Sequence, residues 1–174
     1  MNGIKQLLQT QYRLNEKIME FPSRHFYEQE LRAAEQVKNW TLEDLDLELP
    51  VEPFLRKIFE PDKPVIFLDT IDKDAYEESL KDSQSYRNPV ESEYAINLLK
   101  KSIQTGLDGS DVALISPYKD QVDLIASRID DESIEIDTVD GFQGREKEII
   151  ILSLVRDNPN GNIGFLKDLR RLNV

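Results

Sequence analysis

No cysteine occurs among the 174 residues, so disulfides and thiolate metal sites are both closed to this chain. Histidine is limited to His25, and no nucleophile–base pairing of the acyl-transfer kind is visible around it. Long apolar runs are also missing. Nothing approaches the roughly 20 residues that a membrane span requires, and the opening Met1-Asn2-Gly3-Ile4-Lys5-Gln6 has no secretory core. The cytoplasm is the expected compartment. Positive charge is scarce: 22 Lys and Arg stand against 34 Asp and Glu, a net charge of −12. Taken alone, that balance argues against nucleic acid as a partner, because phosphate binding is dominated by cations.

What remains is a soluble, globular composition, 39% hydrophobic and 32% charged, and long enough for one domain with a sizeable core. The acid is unevenly placed. Glu43 to Glu48 and Asp72 to Asp82 hold much of it and read as solvated faces. Residues 1–32 carry Lys5, Arg13, Lys17, Arg24 and Arg32, and residues 145–174 carry Arg145, Lys147, Arg156, Lys167, Arg170 and Arg171. A local cationic surface is therefore still open to the protein.

Residues 1–63 read as an irregular leading segment. Asn15 is placed to cap a short helix, with Pro22-Ser23 restarting it toward Leu31. Leu45-Asp46-Leu47-Glu48-Leu49 alternates as a half-exposed strand does. From Pro64 the pattern becomes regular. Val65 to Leu68, Val112 to Ile115, Ile134 to Ile136 and Ile149 to Leu154 predict buried strands. Asn88-Pro89 with Glu91 predicts a capped helix start, followed by an apolar stripe of Ala95, Leu98, Leu99 and Ile103. Ser116-Pro117 is expected to cap a second helix with Val122, Ile125, Ala126 and Ile129 on one face, and Asp168 to begin another. Alternating strands and helices predict an α/β layer fold with a mostly parallel sheet. Groups following the strands, Asp69-Thr70, Ser116-Pro117-Tyr118 and Asp137-Thr138, are expected along one sheet edge.

The most distinctive stretch is Asp137-Thr-Val-Asp-Gly-Phe-Gln-Gly-Arg-Glu-Lys-Glu148, ahead of Ile149 to Leu154, in which only Ser153 is polar. Gly141 and Gly144 permit backbone conformations that other residues resist, and the density of polar side chains suggests a turn built to hold a ligand. Two further segments join it: Gln11-Tyr12-Arg13-Leu14-Asn15-Glu16 running to Phe21-Pro22-Ser23, and Ser116-Pro117-Tyr118-Lys119-Asp120-Gln121. In order and spacing the three resemble the second, C-terminal RecA-like motor domain of superfamily-1 helicases, subgroup B, of the up-frameshift, senataxin and immunoglobulin-mu-binding type. The resemblance runs from about Leu8 to Val174.

The resemblance implies a three-layer RecA-like domain of the phosphate-loop NTPase type and an ATP-dependent helicase. It gives Arg13 the role of the arginine that reaches the γ-phosphate, which suits a planar, permanently charged fork, and Tyr12 that of the aromatic packing on adenine. Glu146 would accept from the ribose, with Gly144 and Arg145 bringing the turn close to the nucleotide, and with Gln143 and Asp140 coupling it to the neighbouring domain. Thr138, Val139, Ser116, Pro117 and Tyr118 would touch the backbone of single-stranded DNA or RNA, contacts that carry little sequence preference. Amides and hydroxyls would then do part of the work for which cations are few.

Two departures accompany the match. The chain has no Gly-x-x-x-x-Gly-Lys-Ser/Thr phosphate loop, so ATP and Mg2+ are expected to be held mainly by a first RecA-like domain, the implied partner. The family's continuation past Asn173-Val174 is missing, which implies a domain truncated in its last helix and inactive alone. No metal site is expected within the chain. Plainer readings stand beside these. Arg13 can simply pair with Glu16 or Glu20, Tyr12 can be a core aromatic, His25 a packing or surface residue, and Trp40 a core or interface anchor. A non-catalytic RecA-like module that binds a protein partner is the alternative for the whole chain.

Overall fold

The structure, a computed structural model, describes residues 8–167; the helix expected from Asp168 onward lies outside them. The chain divides between Phe67 and Leu68 into two compact units.

In the first unit, strand β1 (Thr10–Gln11) pairs in parallel with β2 (Arg32–Ala33), with helix α1 (Glu16–Phe26) as the crossover. Asn15 caps α1 as expected: its Oδ1 accepts from Lys17 N at 2.8 Å, and its Nδ2 donates to the Trp40 carbonyl at 2.8 Å. Pro22 does not restart the helix; it lies inside it. Proline there removes one backbone hydrogen bond, but tertiary anchoring holds the helix through it. Met19 and Ser23 are buried, Ser23 Oγ donates to Leu31 O at 3.2 Å, and the Ser23 carbonyl accepts from both Tyr27 N and Gln29 N. Helix α2 (Glu35–Lys38) and helix α3 (Pro53–Ile58) follow, separated by a 3-10 turn over Leu42–Asp44. That turn is closed reciprocally: Glu43 N donates to Thr41 Oγ1 and Thr41 N to Asp44 Oδ2.

Two expected strands do not form. Leu45 to Leu49 and Val65 to Leu68 form no strand; Leu47 N instead donates to Leu45 O at 2.8 Å, and Val65 and Phe67 are exposed. Alternation and apolarity select for a strand only where a neighbour accepts the backbone N–H and C=O groups; here none does among the described residues.

The second unit carries helix α4 (Pro89–Gln104), strand β3 (Val112–Ser116), helix α5 (Lys119–Ala126), and strands β4 (Glu135–Thr138) and β5 (Ile149–Leu152). The sheet order is β4-β3-β5 and every pairing is parallel, which gives the mixed α/β, RecA-like architecture expected. All five residues of β3 are buried, as a central strand requires. Helix α4 lies on β3 and β5, α5 lies on β3 and β4, and the helices touch each other; one face of the sheet is thus covered.

The opposite face packs Ala113 and Ile115 against Phe142, with Val139 beside them. Ala113 registers with Ile150 and Ile115 with Leu152, so both β5 residues share that face. They are 49% and 47% exposed. The expectation that β5 is buried on both faces is therefore corrected: β5 lies at the edge of the sheet, and among the described residues only its helix-facing side is covered.

Helix α4 starts as expected, with Pro89 at its first position and Asn88 Oδ1 accepting from Glu91 N at 3.0 Å. Its stripe is more polar than predicted. Ser92 and Ser102 are buried with Ala95, Ile96 and Leu99, while Leu98 and Ile103 are only half-buried. On α5, Val122 and Ile125 are buried, Ala126 is exposed and Ile129 lies beyond the helix end.

The chain leaves β4 at Thr138 and enters β5 at Ile149, and β3 lies between these two parallel strands. Residues 139–148 therefore form an entire crossover. Parallel neighbours usually need a dozen or more residues and a helix for this. Here a run of turns suffices, pinned to the sheet by Phe142, which is buried.

Candidate nucleotide and nucleic-acid site

The carboxyl edge of the sheet brings Ser116 and Thr138 into register as neighbours, and Val139 N donates to Ser116 O at 3.2 Å. Asp69 and Thr70 follow no strand, so the expected third member of this edge does not form. Thr138 organises the departure of the crossover. Its Oγ1 accepts from Gly141 N at 3.1 Å, and its carbonyl accepts from Phe142 N at 2.9 Å. Asp137 Oδ1 accepts from Thr138 N at 2.7 Å.

Gly141 is required by proximity rather than by φ. A Cβ there would stand 2.3 Å from Asp137 Oδ1. Gly144 is required by its φ of +88°. Gly141→Ala must displace the Asp137 carboxylate, and its expected cost is about 1 kcal/mol, read as a lowered urea midpoint at unchanged slope.

Ser116 is fully buried and does not cap α5. Tyr118 occupies that cap position without a side-chain cap bond, and Ser116 Oγ instead accepts from Tyr118 N at 3.3 Å. Tyr118 is buried too, whereas Pro117 is half-buried and Lys119 exposed. Thr138 and Val139 are half-buried. The surface this edge offers is therefore Pro117, Lys119, Thr138 and Val139. Lys119 Nζ lies 2.6 Å from Asp123 Oδ1, and that hydrogen bond raises its pKa, so it remains a cation.

The far half of the crossover lies elsewhere. Arg145 pairs with Glu135 and lies 3.6 Å from Asp137. Lys147 Nζ is 3.3 Å from Glu135 Oε2 and donates to Ser110 O at 2.6 Å. Glu135 opens β4 and Ser110 precedes β3, so the Arg145 and Lys147 head groups reach toward the amino edge of the sheet. Gln143, Gly144, Arg145 and Glu146 are all exposed. At about 3.3 Å per residue, the two edges are separated by roughly 10 Å along β4. The crossover thus leaves the carboxyl end of β4 after Thr138 and reaches the amino end of β5 at Ile149, which registers with Val112.

Tyr12 and Arg13 belong to the first unit. Tyr12 is 65% exposed and Arg13 is exposed as well. Gln11 braces both. Its Oε1 accepts from Arg13 N at 2.8 Å and from Leu14 N at 2.7 Å, while its Nε2 donates to Leu14 O at 2.7 Å. His25 packs its ring 4.6 Å from Phe21, and Trp40 is partly exposed rather than core. An exposed aromatic beside an exposed, backbone-braced arginine fits a nucleotide. Among the described residues no group of His, Asp or Glu is placed to hold a metal ion.

Two buried polar assemblies escape sequence reasoning. In one, Gln121 Oε1 accepts from Asn88 N at 2.8 Å and Gln121 Nε2 donates to Ser153 Oγ at 2.9 Å. Ser153 Oγ in turn donates to Glu91 Oε1 at 2.8 Å, and Val155 N donates to Glu91 Oε2 at 2.9 Å. Glu91 therefore serves the end of β5 and does not reach back to Asn88. Ser153, alone in an apolar run, was the available signal. In the other, Arg156 joins Glu77, Tyr86 and Tyr118. Burial pulls the Arg156 pKa down, but hydrogen bonds to Tyr118 and Glu77 outweigh it and raise it.

This sheet, its helix-free crossover and its edge loops define a class. A family model described as an AAA domain matches residues 2–174, and the chain belongs to that family. Among its relatives, an uncharacterized ATP-dependent helicase of Methanocaldococcus jannaschii is 43% identical over 170 residues, covering 97% of this chain and 24% of that protein. The DNA polymerase alpha-associated DNA helicase A of Schizosaccharomyces pombe is 38% identical over 98% of this chain and 26% of its own length. The DNA-binding protein SMUBP-2 of Mesocricetus auratus is 36% identical over 99% of this chain and 17% of its own. The chain thus spans about a quarter or less of the length of these relatives. No helix among the described residues is long and apolar enough to cross a membrane.

Proposed function

We propose that this chain is the second RecA-like motor domain of an ATP-dependent helicase, working with a first domain that carries the phosphate loop. The observation that carries the reading is the match, across nearly the whole chain, to a relative named as an ATP-dependent helicase. The names of two other relatives specify DNA, which favours single-stranded DNA over RNA as the substrate.

In this reading Arg13 brings positive charge to the γ-phosphate as the cleft closes, and Tyr12 packs on the base. Glu146 accepts from the ribose, with Gln143, Gly144 and Arg145, all exposed, beside it in the turn. Residues of the first domain would hold Mg2+, which would supply charge neutralisation to the phosphates. Pro117, Thr138 and Val139 contact the strand's phosphates and sugars at the carboxyl edge, while the amides of Val139, Gly141 and Phe142 are taken up by Ser116 and Thr138. Ser116 and Tyr118, being buried, shape that loop from within.

The test joins this chain to a phosphate-loop domain and measures ATP hydrolysis with and without oligo-dT. Hydrolysis that rises on adding the strand is the expected result. Absence of hydrolysis under both conditions overturns the reading.

A further inference from the structure

Val155 is fully buried and has a φ of +72°, a left-handed conformation that a β-branched residue adopts only when its surroundings impose it. Two contacts impose it: Val155 N donates to Glu91 Oε2 at 2.9 Å, and Val155 O accepts from Asn88 Nδ2 at 3.2 Å. The residue that this kink delivers is Arg156.

Its guanidinium carbon lies 4.3 Å from the Tyr86 ring centroid and 5.7 Å from that of Tyr118, and those two rings meet edge to face at 5.7 Å. Nε donates to Glu77 Oε2 at 2.7 Å and NH1 donates to Tyr118 Oη at 3.2 Å. Glu77 Oε2 also accepts from Asp157 N and from Asn158 Nδ2, each at 3.1 Å. Gly164 closes over the cluster with a φ of +52°. A Cβ there would stand 2.3 Å from Arg156 NH1 and 2.8 Å from Tyr118 Oη, so a larger residue must displace these two groups.

The Arg156 side chain is 5% exposed, so it is shielded from any strand. It reaches one functional loop, through Tyr118, which sits between Pro117 and Lys119. We infer that Arg156 is a positioning residue for strand binding: it locks Tyr118 from beneath and so sets the orientation of Pro117, Lys119 and the first amides of α5. This rests on the reading of that loop as a strand-contacting element. A planar guanidinium is needed, because one group must stack on Tyr86 while bonding Tyr118 and Glu77 at once.

The test measures binding of fluorescent oligo-dT to the 174-residue chain by anisotropy across a KCl series, together with urea midpoints, for the unmodified chain, Arg156→Lys and Tyr118→Phe. Lysine keeps the charge and loses the plane and the fork; phenylalanine loses only the hydroxyl. Arg156→Lys is expected to weaken binding about tenfold and Tyr118→Phe about threefold, as loss of a desolvated stacked cation and of one hydrogen bond predicts. The dependence of log K on log salt is expected to stay unchanged, since no phosphate contact is removed.

A salt slope lower by about one in Arg156→Lys makes Arg156 a direct phosphate contact and overturns the inference. Affinity unchanged in both variants overturns it as well. If Arg156→Lys does not fold, Tyr118→Phe decides. If the unmodified chain binds no oligonucleotide, the strand-contact reading itself falls and takes this inference with it. If the chain binds and the variants match it, only the inference falls.

Discussion

Replacing Arg13 by alanine is expected to lower ATP turnover roughly a thousandfold in a protein that carries both motor domains, at the lower end of what an arginine finger contributes. In the proposed function the charge acts on the transferring phosphoryl group, so kcat is expected to fall while KM for ATP changes little. Arg13→Lys recovers only part of the loss, because an ammonium supplies charge without the bidentate fork. Arg24→Ala is the control: it removes a cation from an exposed position on α1 in the same unit, and turnover is expected to be unchanged. Steady-state ATPase at saturating strand checks all three. Turnover in Arg13→Ala within a few-fold of the unmodified protein would show that Arg13 has only a surface role.

The second large effect is on stability. Asn88→Ala is expected to cost about 3 kcal/mol, in two contributions. Loss of the cap alone costs about 1 kcal/mol. The remainder comes from Asn88 Nδ2, which donates to Ala75 O and Val155 O. Asn88 is fully buried, so truncation strands two carbonyls at about 1 kcal/mol or more each. Asn88→Asp discriminates between the two. An aspartate caps the helix as well as asparagine and suits its dipole, yet it has no N–H to give. If the donations dominate, the aspartate variant loses most of what alanine loses; if the cap dominates, it is close to the unmodified protein. Urea midpoints with unchanged slope decide.

Local signals were readable wherever the cause is local. The Asn88-Pro89 start of α4, the Asn15 cap of α1, the buried run of β3 and the glycine at 144 each depend on residues within one turn or one strand. What depends on a distant partner was not readable. Val65 to Leu68 has the composition of a strand but no neighbour to pair with. The exposure of Ile150 and Leu152 follows from β5 lying at the edge of the sheet, a property of topology. Ser116 has the sequence position of a cap, but β3 runs through it and buries it. Gln121 falls on the same helical face as Ile125, yet only the meeting of α4, α5 and β5 shows why a glutamine is kept there. At the candidate site the local turn at Asp137 to Gly144 was legible in its glycines and polar residues, and its path across the sheet was not. Nothing in Asp137 to Glu148 announces that it carries the chain from the carboxyl end of β4 to the amino end of β5, because that depends on β3 being threaded between them.

The crossover has a genetic consequence. Its middle is held to the sheet by Phe142, and in the proposed function one end meets the nucleic-acid strand and the other the nucleotide. An allele altered at Phe142 or Gly144 is therefore expected to be a compound lesion in the whole helicase, with DNA binding and ATP hydrolysis failing together in any screen. Alleles that separate the two phenotypes are expected only at the ends, around Thr138 on one side and Glu146 on the other.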